Sequence, residues 1–201
     1  PGSSLADAVY VPPPARRMKA RLDQLERFTA ERGPLPDLLE CAMVHAQFES
    51  LHPFMGGNGR LGRILIVLFL MARGRLSQPL LYLSAYLEAH RHEYYALLQR
   101  LRTHGDWLPW LIFFLEGVRE TAERAAEQAR ALKHQHARYR SGSGERLHRL
   151  ADELFISPFT SVPELRRSLR MNDAAARRAV ARLEGAGLLA PVPGPTRPRL
   201  W

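Results

Sequence analysis

Twelve residues constrain this chain more than any other stretch: His52-Pro53-Phe54-Met55-Gly56-Gly57-Asn58-Gly59-Arg60-Leu61-Gly62-Arg63. Four glycines, an asparagine and two arginines follow a histidine, and the next nine residues, Ile64 to Ala72, are wholly apolar before Gly74 closes the run. That order reads as a loop entering the N-terminus of a buried helix. Gly57 and Gly59 let the backbone turn so that successive N–H groups point into one hollow. The helix adds unpaired N–H groups and the positive end of its dipole. Arg60 and Arg63, three residues apart, share a helix face. The combination suits a polyphosphate.

Two other readings compete. Gly57-Asn58-Gly59-Arg60-Leu61-Gly62 spells the G-x-G-x-x-G of dinucleotide folds, but that fingerprint needs a strand just before it. Leu38 to Ser50 has helical spacing instead. A glycine-rich turn with solvated arginines explains neither the histidine nor the helical spacing of the two arginines.

The segment resembles the signature of the Fic (filamentation induced by cAMP) family, H-P-F-x-[D/E]-G-N-G-R-x-x-R. Every defined position matches except one, where Gly56 replaces an acidic residue. The similarity runs from Tyr10-Val11-Pro12-Pro13-Pro14 to Gly117, through Leu80-Leu81-Tyr82-Leu83-Ser84 and Glu93-Tyr94-Tyr95. The resemblance implies a mainly α fold, a Fic-type helical bundle, and transfer of AMP from ATP to a Ser, Thr or Tyr hydroxyl of a target protein. His52 would be the base. Asn58 and the backbone of Gly57 and Gly59 would hold the α- and β-phosphates, with Arg60 at the β-phosphate and Arg63 at the γ-phosphate. Phe54 is expected to point into the core and anchor the loop. Tyr94 and Tyr95 either line an adenine pocket or pack in the core.

Gly56 bears on the metal. The family's acidic residue orients Mg²⁺, and glycine offers no carboxylate, so no metal ligand is expected from the protein and turnover is expected to fall while nucleotide binding survives. The family's inhibitory Ser/Thr-x-x-x-Glu-Gly/Asn pattern is not found, and the resemblance implies that the chain is expected to start at or after the β-hairpin flap that holds target peptides in the family. A fragment of a longer protein, or a processed one, is the expectation. Donors of the UDP or phosphocholine type are a lesser alternative.

Composition bounds the rest. A chain of 201 residues with 46% hydrophobic residues can bury one typical core and a smaller second one. No apolar run approaches the roughly 18 residues that span a membrane. Cys41 is the single cysteine, which excludes an internal disulfide and suits a reduced, cytoplasmic setting. The net charge of +9 suits an anionic partner such as ATP or nucleic acid.

Along the chain, residues 1–14 read as an extended segment at the end of the target-binding flap. The helical core is expected over 15–140, with helices over Ala15–Arg32, Leu38–Ser50, Ala85–His104, Trp107–Gly117 and Glu120–Tyr139. His45 reads as a packed core histidine, and Glu49 as either a support behind the loop or a solvated side chain. Residues 141–144 are a Ser/Gly linker, and 145–201 resemble a winged helix-turn-helix: three helices, then short strands at Leu188-Leu189 and Arg199-Leu200-Trp201. In its third helix Ala176, Val180 and Leu183 form the buried stripe, leaving Arg177, Arg178 and Arg182 outward as candidate DNA contacts. Ten arginines against six acids in 145–201 is a modest balance for a DNA binder. A DNA-binding or docking protein whose core only binds nucleotide is the rival reading, and a homodimer is a further possible assembly.

Overall fold

A computed structural model describes residues 8, 10–141, 145–185, 187, 189–193 and 200. The described chain is mainly helical and divides into two compact units, Pro1–Ala126 and Glu127–Trp201. The division falls inside a helix, upstream of the Ser/Gly stretch. Leu188, Arg199, Trp201 and most of residues 1–9 lie outside the described residues.

The first unit is built on two helices. α1 (Ala15–Ala30) leads to α2 (Asp37–Leu51), and α3 (Asn58–Ala72) packs along α2. α2 is apolar or buried on nearly every side, from Glu40 to Leu51, which makes it the central helix. α4 (Ser84–Ala89) and α5 (Arg91–His104) follow where a single helix over Ala85–His104 was expected. The break is at His90, whose backbone leaves helical geometry while its Nδ1 lies 3.0 Å from the Tyr86 carbonyl. No glycine or proline announces it.

α6 (Trp107–Ser141) runs unbroken through Gly117, so the two helices expected there are one. Gly117 is not a stop but a close approach: a Cβ would meet the Tyr86 ring at 2.5 Å. The first core gathers Trp110, Phe113, Phe114, Leu98, Ile66 and Leu70 around α2, and the Trp110 indole donates to the Ala42 carbonyl at 3.0 Å. Cys41 is fully buried there, and burial pushes its thiol up to about 12.

One charged cluster sits inside this unit. Arg73, at the end of α3, pairs with Glu40 at 3.0 Å, and both side chains are almost wholly buried. The same guanidinium donates to the Glu31 carbonyl at 2.6 Å, pinning the end of α1.

In the second unit, α7 (Glu145–Ile156) precedes α8 (Val162–Ser168) and α9 (Asp173–Gly185). Ser161 caps α8: it accepts from the Glu164 N–H at 3.4 Å and its hydroxyl donates to the Glu164 carboxylate at 2.8 Å. Asn172 accepts from the Ala175 N–H at 2.9 Å and opens α9. Val162, Leu165, Leu169, Ala176, Val180 and Leu183 form a second core that shares no residue with the first. Leu200 makes an antiparallel bridge with Ser161, and its carbonyl accepts from the Val192 N–H at 3.0 Å. Among the described residues this bridge is the extent of β pairing.

Candidate active site

α2 ends on the motif histidine. His52 adopts a left-handed backbone, φ 46°, and its N–H still donates to the Phe48 carbonyl at 3.0 Å. A left-handed C-cap terminates a helix by turning the chain away, a role usually given to glycine. Its imidazole is exposed.

The loop is held from within. Asn58 is 2% exposed, accepts from the Phe54 N–H at 3.0 Å and donates to the Phe54 carbonyl at 2.6 Å. This two-point clamp does the anchoring expected of the Phe54 ring, which is instead 51% exposed. The expectation for Phe54 is corrected: a loop whose backbone is gripped at residue 54 does not need the side chain in the core. The clamp uses the Asn58 acceptor and one of the two N–H donors of its amide.

α3 begins at Asn58, inside the motif and six residues before the apolar run. Gly57 is its N-cap with φ 82°, and no side chain caps the first turn. Both motif arginines fold back over that turn. A Cβ on Gly57 would lie 3.7 Å from Arg60 Nη2, and one on Gly59 3.2 Å from Arg63 Nη1. Uncapped N–H groups, the helix dipole and two guanidiniums thus converge on one end of α3. Gly59 is helical, so its smallness serves the close approach of Arg63 rather than a turn. Around Gly56 a Cβ would meet nothing within 4 Å.

Beneath this turn lie two titratable groups from α2. His45 is wholly buried, with Nδ1 3.1 Å from the Gly62 carbonyl and Nε2 3.1 Å from the Tyr94 hydroxyl. A carbonyl only accepts, so Nδ1 carries the proton and Nε2 accepts from Tyr94. Burial lowers the imidazole to about 4, so it is neutral. Glu49 is 6% exposed, and its Oε1 has no hydrogen-bond partner. A Cβ on Gly62 would lie 2.5 Å from that oxygen and 3.2 Å from the His45 ring. Of its two open readings, Glu49 takes the support behind the loop.

Arg102 of α5 closes the same corner. It donates to the Glu49 carbonyl at 2.9 Å and to the Ser50 hydroxyl at 3.1 Å, and it stacks 3.9 Å from the Tyr10 ring centre. The Tyr10 hydroxyl donates to the Ser50 carbonyl.

The two tyrosines part company. Tyr94 is core, with burial pushing its hydroxyl far up, so of its two readings the packing one holds. Tyr95 is 54% exposed, with Arg91 5.8 Å above its ring. On the other flank of α3, Arg60 and Arg63 open a groove of about 450 Å³ floored by Ile64, Val67 and Leu68 and walled by Pro79 to Ser84. Neither tyrosine lines it.

In α9, Ala176, Val180 and Leu183 are buried as the spacing predicts, while Arg177, Arg178 and Arg182 are exposed. Arg177 is paired with Asp173 at 2.8 Å.

Among the described residues no group of three His, Cys, Asp or Glu side chains could hold a metal ion, and no helix is long and apolar enough to cross a membrane. The loop, lacking a carboxylate at Gly56, does not fit a protein-held divalent cation.

Residues 4–70 match the model of the Fic/DOC family. Over 83 residues the chain is 34% identical to proteins named protein adenylyltransferase Fic from Aedes aegypti and from Culex quinquefasciatus. The match covers 41% of this chain and 15% of each relative, so the chain spans a small part of their length. A crystal structure of a Fic family protein from Desulfovibrio desulfuricans G20 superposes with a TM-score of 0.56 at 20% identity, over 90% of this chain and 52% of that one. That likeness is one of fold.

Proposed function

From the Fic/DOC-family domain that residues 4–70 carry, we propose that this chain transfers AMP from ATP to a hydroxyl of a protein target. The observation that supports it most is the convergence of Arg60, Arg63 and the uncapped first turn of α3 beside an exposed histidine. The adenylyltransferase names of the relatives support the reaction class.

In this reading the triphosphate lies against the N-terminus of α3. N–H groups of the first turn and the two guanidiniums neutralise its charge and hold the α-phosphate in line with the incoming hydroxyl. His52 takes the hydroxyl proton. The hydroxyl oxygen bonds to the α-phosphorus, the bond from that phosphorus to the bridging oxygen breaks, and pyrophosphate leaves. His45 is no candidate for the base, because it is sealed in the core with both nitrogens engaged. No step is assigned to a protein-bound metal. Magnesium would arrive on the nucleotide, which Gly56 cannot help to orient.

The test is transfer of α-labelled AMP with magnesium, to lysate proteins and to the chain itself. Gly56→Asp should raise the rate at least about ten-fold, since position 56 has open space and the new carboxylate restores a metal oxygen. His52→Ala should abolish the label in either background. A Gly56→Asp chain no faster than the unaltered one would sink the metal argument. No label in any form, with ATP still bound, would overturn the transferase reading.

That last outcome would favour the second reading, a nucleotide-binding core carried by a DNA-binding or docking protein. Its support is the capped α8–α9 pair with Arg178 and Arg182 on the exposed face of α9. We propose further that residues 145–201 form a winged helix-turn-helix, that the chain works in a reduced cytoplasmic setting and that it assembles as a homodimer.

A further inference from the structure

The group that the transfer reaction leaves unused is Glu49. Its Oε1 lies against α3, 2.5 Å from where a Cβ on Gly62 would stand. Two atoms converge on the point where a Cβ on Gly59 would stand: Arg63 Nη1 at 3.2 Å and Glu49 Oε1 at 3.9 Å. Oε1 is buried and makes no hydrogen bond. A buried carboxylate oxygen without a hydrogen bond is costly, so its neighbours must offset it by charge rather than by contact.

Those neighbours come from every side. Arg63 faces Glu49 from α3, Arg102 and the Tyr94 hydroxyl from α5, and Tyr10 lies beyond Arg102 from the segment before α1. On its own helix, neutral His45 lies one turn back, and the two side chains meet at Gly62. Two cations and a helix N-terminus therefore surround one carboxylate, and the site that would receive a triphosphate is already partly neutralised from below.

We propose that Glu49 is a positioning residue of the anion hollow: a built-in countercharge that holds the Arg63 guanidinium over Gly59 in the empty site and takes up a proton from water when a polyphosphate binds. The incoming anion competes with Glu49 for the same guanidinium and the same helix dipole. Protonation relieves the repulsion, because the neutral acid no longer opposes the phosphate. Burial has already moved Glu49 above the ordinary carboxylate range, against the pull of Arg102 and Arg63, so a second anion nearby moves it further in the same direction. By linkage, a group that gains a proton on binding makes affinity rise as pH falls.

The inference rests on the polyphosphate reading of the loop. Its test is calorimetric titration of the full chain with inorganic tripolyphosphate and with ATP, between pH 5.5 and 8. Glu49→Gln removes a charge without removing a hydrogen bond, so tripolyphosphate should bind about ten-fold tighter at pH 7.5, the order a unit charge exerts across a partly buried site. The affinity change of the unaltered chain between pH 8 and 5.5 should be larger than that of the variant measured with the same anion, a comparison in which the anion's own protonation cancels. Unchanged or weaker binding by a variant with intact circular dichroism would overturn the inference and reduce Glu49 to a packing role.

Should Glu49→Gln fail to fold, a His52→Ala chain decides the matter in two buffers of different ionisation enthalpy. At pH 8, net proton uptake exceeding what the anion itself gains or loses supports the role of Glu49, and no such excess overturns it. If the unaltered chain binds neither tripolyphosphate nor ATP, the anion site itself fails and this inference with it. Binding without that excess uptake fails the inference alone.

Discussion

His45 is a neutral imidazole in the middle of a core, and that state has a thermodynamic consequence. Its value is lowered from 6.5 to about 4 by burial, so between these limits the unfolded chain binds a proton that the folded chain refuses. The stabilisation is complete above about pH 6.5 and is lost as pH falls toward 4, at most roughly 3 kcal/mol. Denaturant titrations at pH 7.5, 6 and 5 should show this fall, and His45→Gln should flatten it. Glu49 works with the opposite sign, since its raised value favours the folded state at lower pH. The difference between the unaltered chain and His45→Gln isolates the histidine. The residue scale also shows what sequence could and could not yield. The histidine, the two arginines and Gly57 were legible because spacing alone places them together. The Arg102 brace and the oxygen beneath Gly62 were not, because each depends on the distance between α2, α3 and α5, and the Asn58 clamp was not, because it depends on the backbone path of the loop between Phe54 and Asn58. Gly62, the second glycine within α3, was the available signal: it marks a backbone that something approaches.

At the scale of elements, α1, α2 and α3 are joined by a single guanidinium. Arg73 reaches Glu40 on α2 and the carbonyl of Glu31 at the end of α1. Arg73→Met would fill similar volume but leave the Glu40 carboxylate buried without its cation. Breaking one half of a buried pair costs about 3–5 kcal/mol. Urea unfolding should register a loss of that order, and Arg73→Met combined with Glu40→Met should recover part of it. The pair was illegible in sequence, since 33 residues separate its members. Helix existence was legible throughout, from apolar spacing and from the caps at Ser161 and Asn172. Two boundaries were not: His90 breaks a helix without a breaker residue, and Gly117 fails to break one because neighbouring turns supply enough hydrogen bonds and packing.

For the whole molecule, the physical content of two compact units is two cores with no residue in common. Each buries its own apolar set among the described residues, and each is expected to unfold as its own cooperative unit. Denaturant unfolding of a Trp201→Phe chain should give fluorescence from Trp107 and Trp110 that follows the first core alone. Far-ultraviolet circular dichroism, which sums all helices, should give a second transition that fluorescence does not share. Coincident curves would mean that the chain unfolds as one body. The boundary between the units falls at Ala126/Glu127, inside α6, where the sequence carries no linker signal.

The burial of Cys41 has a practical side. Its thiol is sealed in the first core and held up to about 12, so maleimides and iodoacetamides would find it both unreachable and un-ionised. The native chain is in effect already a cysteine-free background for chemical labelling. Met55 projects fully into solvent from the middle of the loop. A single Met55→Cys change would give one addressable handle a few residues from the arginines, where a fluorophore could report each arrival and departure of nucleotide in real time.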